Sequence, residues 1–274
     1  MNQGTVSTGP MLAAVLTALV ILAAAAAFAG QLGVSRAVVT ASVRAVLQLA
    51  AVSLLITAVV RSWWATAGFI VLMVLVAAAT SARRIGSWRL SGLVIAPIGA
   101  GALPVGALIV AAGTVPLNQL AVLPIAGILI GGAMTATSLA GRRALDELRD
   151  RHGEYEAALA LGFLPRDAAL EVCRPTAGQA LVPALDQTRT VGLVTLPGAF
   201  VGVLLGGGTA VAAGATQLLV LVALLAVEVV AVAVTVELVA AGLLYRPAPG
   251  AGAARRTGAG SGRPSAAVLR RPDR

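Results

Sequence analysis

The chain contains no lysine, since all 20 of its basic residues are arginine. Without that amine there is no Schiff-base chemistry and no Walker A loop, whose lysine reaches the β- and γ-phosphates. The chain is therefore not itself a standard P-loop ATPase, and any ATP has to be handled by a partner. Cysteine and histidine occur once each, as Cys173 and His152. That excludes a disulfide framework and a Cys/His zinc site built within one chain. Metal chemistry has to use oxygen or thioether ligands, or be shared between subunits, and no cofactor is implied. Charge is scarce too: 11% of the 274 residues are charged and 58% are hydrophobic, whereas soluble proteins carry about 25% charge. This is the composition of an all-α, polytopic integral membrane protein.

The formal net charge of +9 does not point to nucleic acid. Seven of the arginines, from Arg246 to Arg274, lie in a Gly/Pro/Ala/Ser-rich tail after the last apolar run. Such a composition cannot build a core and reads as disordered. Beside a bilayer, a basic tail contacts anionic lipid and fixes topology. The expected organisation is a transmembrane domain over 1–245 and a disordered basic tail over 246–274.

About 20 apolar residues at 1.5 Å each cross the hydrocarbon. Seven runs qualify: 11–29, 37–60, 64–82, 92–112, 119–139, 190–205 and 216–244. The sixth is the shortest and contains Pro197-Gly198, so it is expected to be broken or re-entrant. The first is read as a span rather than a secretory signal, because residues 1–10 carry no basic residue. With the N-terminus outside, arginine falls inside at Arg36, Arg83, Arg84, Arg89, the 142–189 segment and the tail, and only Arg61 falls outside. The positive-inside rule thus gives an N-out, C-in, multi-pass protein of the cell membrane.

The one sizeable extramembrane segment, 141–189, carries seven Arg and eight Asp/Glu. Its leucines and alanines fall at helical spacing, with a break at Gly162 to Pro165 that predicts two short helices and a turn. It is either a charged hairpin over the cytosolic mouth or a docking element. EAALALG, with Glu156, Ala157, Ala158 and Gly162, resembles the EAA loop with which ABC-transporter permeases engage their ATPase subunit. A small-residue helix face and a glycine turn let a protruding knob sit closely against another protein.

Ionisable groups inside spans cost about 2.5–3.5 kcal/mol at the centre and are functional candidates by default. There are three: Arg44, Glu228 and Glu237. Arg44 and Glu237 each lie seven residues, about 10 Å, from the cytosolic ends of their spans. They are expected to form a structural ion pair, with Gln48 one turn along from Arg44. Glu228 lies about 24 Å deep with no basic partner at its level. It is either a protonated, neutral carboxyl or a cation ligand or proton-coupled site. Pro97, Pro104, Pro124 and Pro197, with glycines including Gly99, Gly101, Gly131, Gly132 and Gly198, are expected to interrupt the middle spans. Small residues permit close helix approach, and prolines free carbonyls that can line a cavity. Pro197-Gly198 is the expected gate, and Pro124, Gly132 and Met134 are further pathway candidates, Met134 as a soft ligand or simple packing. Asp186, Gln187 and Arg189 form either an interfacial anchor or a latch between the hairpin and the gate.

Four blocks together resemble the FetB-type ABC transporter permeases, to which plant aluminium-tolerance membrane proteins are related. They are SVRAVLQLAAVSLLI from Ser42, LPIAGILIGGAMTATSLA from Leu123, EYEAALALG, and ALVPALDQTRTVGLVTLPGAFVGVLLGG from Ala180. The resemblance implies the membrane subunit of an ABC exporter, working as a homodimer with two ATPase chains and moving iron or, in plant relatives, a nucleotide sugar. The alternative reading of the chain is a non-transporting membrane scaffold or receptor subunit that binds a partner through the hairpin. Two positions depart from the family pattern. Gly132 stands where the family usually has Asn, and Phe163-Leu164 replaces a small-residue step after the loop glycine.

Overall fold

The computed structural model describes residues 9–86 and 90–245. Arg89 and the basic tail expected to be disordered lie outside the described residues. Ten α-helices account for most of the described chain. They are α1 (Pro10–Ala29), α2 (Ser35–Val59), α3 (Trp63–Ile85), α4 (Ser91–Ala111), α5 (Gln119–Asp150), α6 (His152–Ala160), α7 (Pro165–Ala177), α8 (Val182–Thr190), α9 (Gly198–Leu205) and α10 (Ala210–Ala240). The chain is an all-α polytopic membrane protein. In the bilayer every backbone N–H and C=O must be paired within the protein, and helices do this segment by segment.

Helices α3, α4, α5 and α10 pack on one another to form the core. Lipid tails supply no hydrophobic drive between helices, so close contact falls to small side chains and hydroxyls. Ala78, Ala82, Ala133, Ala136, Ala140 and Ala231 are all buried at the crossings. Gly101 of α4 lies against the backbone of α10, where a Cβ would sit 2.6 Å from the Val227 carbonyl oxygen. Ser81 of α3 and Ser138 of α5 both donate to the Met134 carbonyl, at 2.8 and 2.7 Å. Gly141 of α5 meets Ile85 of α3 and Thr235 of α10, so the C-terminal parts of these three helices share one end of the bundle. Arg83, Arg84, Arg142, Arg143 and Arg149 gather there, and Arg61, between α2 and α3, belongs to the opposite end.

The N-terminal hairpin stands at the periphery. Helix α1 packs on α2, and α2 otherwise touches only α3.

Among the described residues six helices, α1 to α5 and α10, are long and apolar enough to cross a membrane, not the seven that run length suggests. The sixth run is the exception: α8 ends at Thr190 and α9 starts at Gly198. Between them the Thr190 carbonyl takes bonds from the N–H groups of Leu193, Val194 and Thr195, and Gly192 turns with φ +81°. Pro197 then precedes the first turn of α9, in extended backbone. The chain still travels the length of the bundle here. It leaves α7 at the basic end, and Phe200 of α9 donates its N–H to Gln217 near the start of α10, at 3.3 Å. By contrast, Pro97, Pro104 and Pro124 do not interrupt their helices: α4 and α5 run through them unbroken. Pro97 and Gly101 of α4 are buried in the packing of the bundle, whereas Pro104 and Pro124 are exposed.

Candidate coupling hairpin and translocation groove

Beyond the core, the 32-residue α5 runs on to Asp150 and the chain folds back through α6 and α7. Helix α6 carries Glu156, Ala157 and Ala158, with Glu156 and Ala157 exposed. His152 Nε2 lies 3.9 Å from Glu156 Oε1, one turn along. Gly162, at φ +90°, ends α6 in the left-handed conformation, and Phe163 donates its N–H back to the Ala158 carbonyl at 3.1 Å. Glycine takes that conformation without a Cβ clash, which is why it closes helices in this way. The resulting turn holds three apolar side chains out: Leu161 is 80% exposed, and Phe163 and Leu164 are exposed beside it. The sequence marks the glycine and the unusual Phe163-Leu164 step after it, but not Leu161 or the exposure of all three, because a lone Leu in an apolar chain carries no signal until its surroundings are known.

The hairpin is firmly based. Arg151 donates from Nε to Glu154 at 2.8 Å and from Nη1 to the Val172 carbonyl at 3.4 Å. The hydrogen bond from Arg151 holds the Glu154 carboxyl below the ordinary carboxylate range and raises the guanidinium in turn. Cys173 is buried where α7 meets α5, its Sγ 3.5 Å from the Ala144 carbonyl, and burial pushes its thiol up to about 11.

Helix α7 also grips α10, and this corrects one expectation. Glu237 does not pair with Arg44; it is held by Arg166, at 2.5 Å from Nη2, and by Arg174, at 3.5 Å. The depths matched, but α2 does not touch α10. Arg44 and Gln48 face outward on α2, without a partner among the described residues.

An open groove runs along α5, the α8–α9 break and α10. Toward the end opposite the arginines it widens to a cleft of about 1140 Å³, walled by Pro116, Pro124, Pro197, Gly198 and Gln217. Ile128, Gln187 and Leu224 join this cleft to a second, of about 250 Å³, lined by Gly131, Gly132, Thr135 and Glu228. Leu139 and Ala180 join the second to a third, at the basic end, where Arg142, Arg143 and Asp146 lie. Four pathway candidates, Pro124, Pro197, Gly198 and Gly132, thus lie along one groove with Glu228. Met134 does not: its side chain packs against the buried core and its carbonyl serves Ser81 and Ser138.

Glu228 is 8% exposed, makes no hydrogen bond or ion pair with the described residues, and lines the middle cleft. Its carboxyl depends on Gly132, where a Cβ would come within 2.9 Å of Oε1. Gln187 of α8 reaches the same cleft, so the end of α8 lies at the level of mid-α5 and mid-α10 rather than at an interface. Asp186 and Arg189 pair along α8 at 3.5 Å and remain exposed. Gln217, buried at 4% exposure, accepts the Phe200 N–H and so caps the first turn of α9. It was not legible in the sequence, where a Gln at the start of an apolar run reads as a boundary residue. No group of three or more His, Cys, Asp or Glu able to hold a metal exists among the described residues.

The family model that matches is "Uncharacterised protein family (UPF0014)", over residues 11–244. The chain is 33% identical over 210 residues to the UPF0014 membrane protein STAR2 of Oryza sativa subsp. japonica, covering 75% of this chain and 73% of that one. It is 37% identical to Protein ALUMINUM SENSITIVE 3 of Arabidopsis thaliana over 114 residues, 42% of each chain. To the Probable iron export permease protein FetB of Escherichia coli (strain K12) it is 33% identical over 105 residues, 37% of this chain and 39% of that one. No solved structure matches. With the match running from the first long helix to the end of the last, the chain belongs to the UPF0014 family of membrane proteins.

Proposed function

We propose that the chain is the membrane-spanning permease subunit of an ABC exporter in the cell membrane, moving iron or another metal out of the cytosol. ATP is hydrolysed by a separate ATP-binding cassette subunit, and two copies of the chain face each other. One observation carries this reading. A groove spanning the bundle shares helix α10 with a hairpin whose apolar tip stands exposed at the arginine-rich end.

Each part has a task in that scheme. The arginine-rich end is cytosolic by the positive-inside rule, which places the Leu161–Leu164 turn where an ATPase can receive it. Glu156, Ala157 and Ala158 form the flank of that knob, and Gly162 sets its angle. The broken segment at residues 191–197 supplies the place where a wall of the groove bends, as discontinuous helices do in transporters that alternate access. The name of the Escherichia coli relative, an iron export permease, supports metal as cargo.

A second cargo reading rests on Arg142 and Arg143. Both are exposed at the basic mouth of the groove and unpaired among the described residues. Paired guanidinium groups suit the diphosphate of a nucleotide sugar.

The deciding experiment is efflux from vesicles holding the chain with its ATPase, with radiolabelled iron and a labelled nucleotide sugar measured side by side. ATP-dependent iron movement that Gly162→Trp abolishes is the expected result. Sugar movement without iron selects the second cargo. Neither movement, with the ATPase not retained by the chain, overturns the exporter reading.

A further inference from the structure

We propose that Glu228, Thr135 and Gln187 form a seat for one hard divalent metal ion, held with part of its water shell halfway along the groove. The proposal deepens the permease reading, on which its role in transport rests; ion binding at the seat does not depend on it.

The first observation is the carboxyl itself. A carboxyl 8% exposed and without a hydrogen bond or ion pair is costly to keep, unless it is neutral or meets a ligand. It does not point into a packed core. It opens on a cleft of about 250 Å³ in which it is the only charged lining residue. The space is held open by an absence, because a Cβ at Gly132 would fall 2.2 Å from Leu224 Cδ1 and 2.9 Å from the carboxyl oxygen.

The lining then decides the chemistry of the ligand. Thr135 donates its hydroxyl hydrogen to the Gly131 carbonyl at 3.1 Å, which leaves its oxygen lone pairs as acceptors. Gln187 has no hydrogen-bond partner of its own among the described residues and brings an amide oxygen. The donor set is therefore oxygen throughout, and oxygen donors suit Mg, Ca and Mn-like ions. The cleft lining has no Cys, His or Met, so it offers nothing to a thiophilic metal. It has no aromatic ring either, so an organic ammonium would find none of the π-faces that usually hold one. The volume corresponds to several waters of about 30 Å³ each, enough for an ion that keeps much of its hydration.

The cations of the neighbouring segments do not line the cleft: Arg189, two residues from Gln187 on α8, is paired with Asp186 at 3.5 Å, and Arg142 and Arg143 line the next cleft toward the basic end. Arg142 and Arg143 are ten and eleven residues beyond Gly132 on α5, about 15 Å along the helix. One carboxylate with neutral donors binds weakly, near the 10⁻⁴–10⁻³ M end of oxygen sites. A transported ion has to leave, so weak binding fits a station on a pathway.

The test is Mn(II) binding to the full chain in nanodiscs, read from loss of the free-ion EPR signal up to millimolar concentration. Wild type, Glu228→Gln and Gly132→Ala are compared, with thermal unfolding measured on each. The expected result is wild-type binding that weakens at least tenfold in Glu228→Gln and also weakens in Gly132→Ala, with unfolding of Glu228→Gln without metal unchanged. Mn(II) bound equally by wild type and Glu228→Gln, or not bound by wild type, overturns the seat. Retention of the ATPase by the same preparations is scored separately. Failed metal binding with the ATPase retained defeats the seat and leaves the permease reading standing. Metal binding without ATPase retention does the reverse.

Discussion

Arg166 of α7 grips Glu237 of α10 through two nitrogens on one carboxylate oxygen, Nη2 at 2.5 Å and Nε at 3.1 Å. Glu237 lies on the same helix as Glu228, nine residues on. In the proposed permease, this contact would carry a push on the hairpin to the helix that forms one wall of the groove. Both partners are substantially exposed, and exposed pairs contribute about 0–1 kcal/mol. Glu237→Gln is expected to leave stability within about 1 kcal/mol of wild type and to keep the ATPase bound. ATP-driven efflux is expected to fall several-fold, with the swap Arg166→Glu plus Glu237→Arg recovering part of it. Full efflux in Glu237→Gln would show that the pair transmits nothing.

Much of this arrangement is legible in sequence because the bilayer imposes simple rules. Run length locates the six long helices, arginine placement gathers the basic end, and Gly162 to Pro165 marks the hairpin turn. The misses have two physical causes: depth does not specify neighbours, and an apolar run or a proline does not by itself decide whether a helix is continuous. Arg44 and Glu237 match in depth, but helix packing sets α2 apart from α10. The prolines of α4 look like breaks, but a helix in a bundle tolerates them when neighbours and local adjustments meet the freed groups. Gln187 looks interfacial until the break at residues 191–197 is seen to lift α8 beside Glu228.

The glycines of the core separate into two kinds. A Cβ at Gly101 would press on the Val227 carbonyl, which is backbone and cannot rotate away, whereas one at Gly131 meets nothing within 4 Å. Overpacking of this kind costs about 1–3 kcal/mol. Gly101→Ala is expected to lower the midpoint of thermal unfolding in detergent and to reduce the yield of folded protein. Gly131→Ala is expected to match wild type in both. Equal behaviour of the two would mean that α4 and α10 shift apart without cost.

At the hairpin tip, fold and function are separable by choice of residue. Leu161 and Phe163 are exposed, so replacing either with Ser removes apolar surface without opening a cavity. Retention of the ATPase on immobilised protein is expected to fall at least tenfold in the double variant, with thermal unfolding unchanged. Gly162→Ala acts differently, forcing an L-residue into φ +90°, a conformation that costs about 1–2 kcal/mol. Weaker retention is expected there as well, because the turn changes shape. Undiminished retention in the double variant would place the docking surface elsewhere.

Cys173 gives a chemical check on how closely α7 sits on α5. Its thiol is buried and pushed up to about 11, and the thiolate is the nucleophile. Below that value the group is protonated in the folded protein, whereas an unfolded thiol ionises near 8.5. Alkylation at pH 8 is therefore expected to be at least tenfold slower in folded protein than in denatured protein. Raising the pH toward 11 should speed the folded reaction more than the unfolded one, because only the folded thiol is still gaining thiolate. Equal rates at pH 8 would mean that the hairpin lifts freely from the core.

Between α8 and α9 the backbone is not helical, and Leu193 is 91% exposed with Val194 beside it. Non-helical backbone at membrane depth is tolerated where it is buried in protein or lines a water-filled cavity, and not against lipid. The Asp186–Arg189 pair stands exposed on the neighbouring turn of α8, and charged groups at such depth face protein or water for the same reason. A second copy meeting this face would satisfy both demands and would turn an open groove into a closed path. With Cys173→Ser removing the native thiol, Leu193→Cys is expected to form an oxidant-induced dimer in native membranes. A cysteine at Leu22, exposed on the peripheral α1, should not. Cross-linking at Leu22 but not at Leu193 would place the interface on the N-terminal hairpin and leave the groove to be closed by another chain.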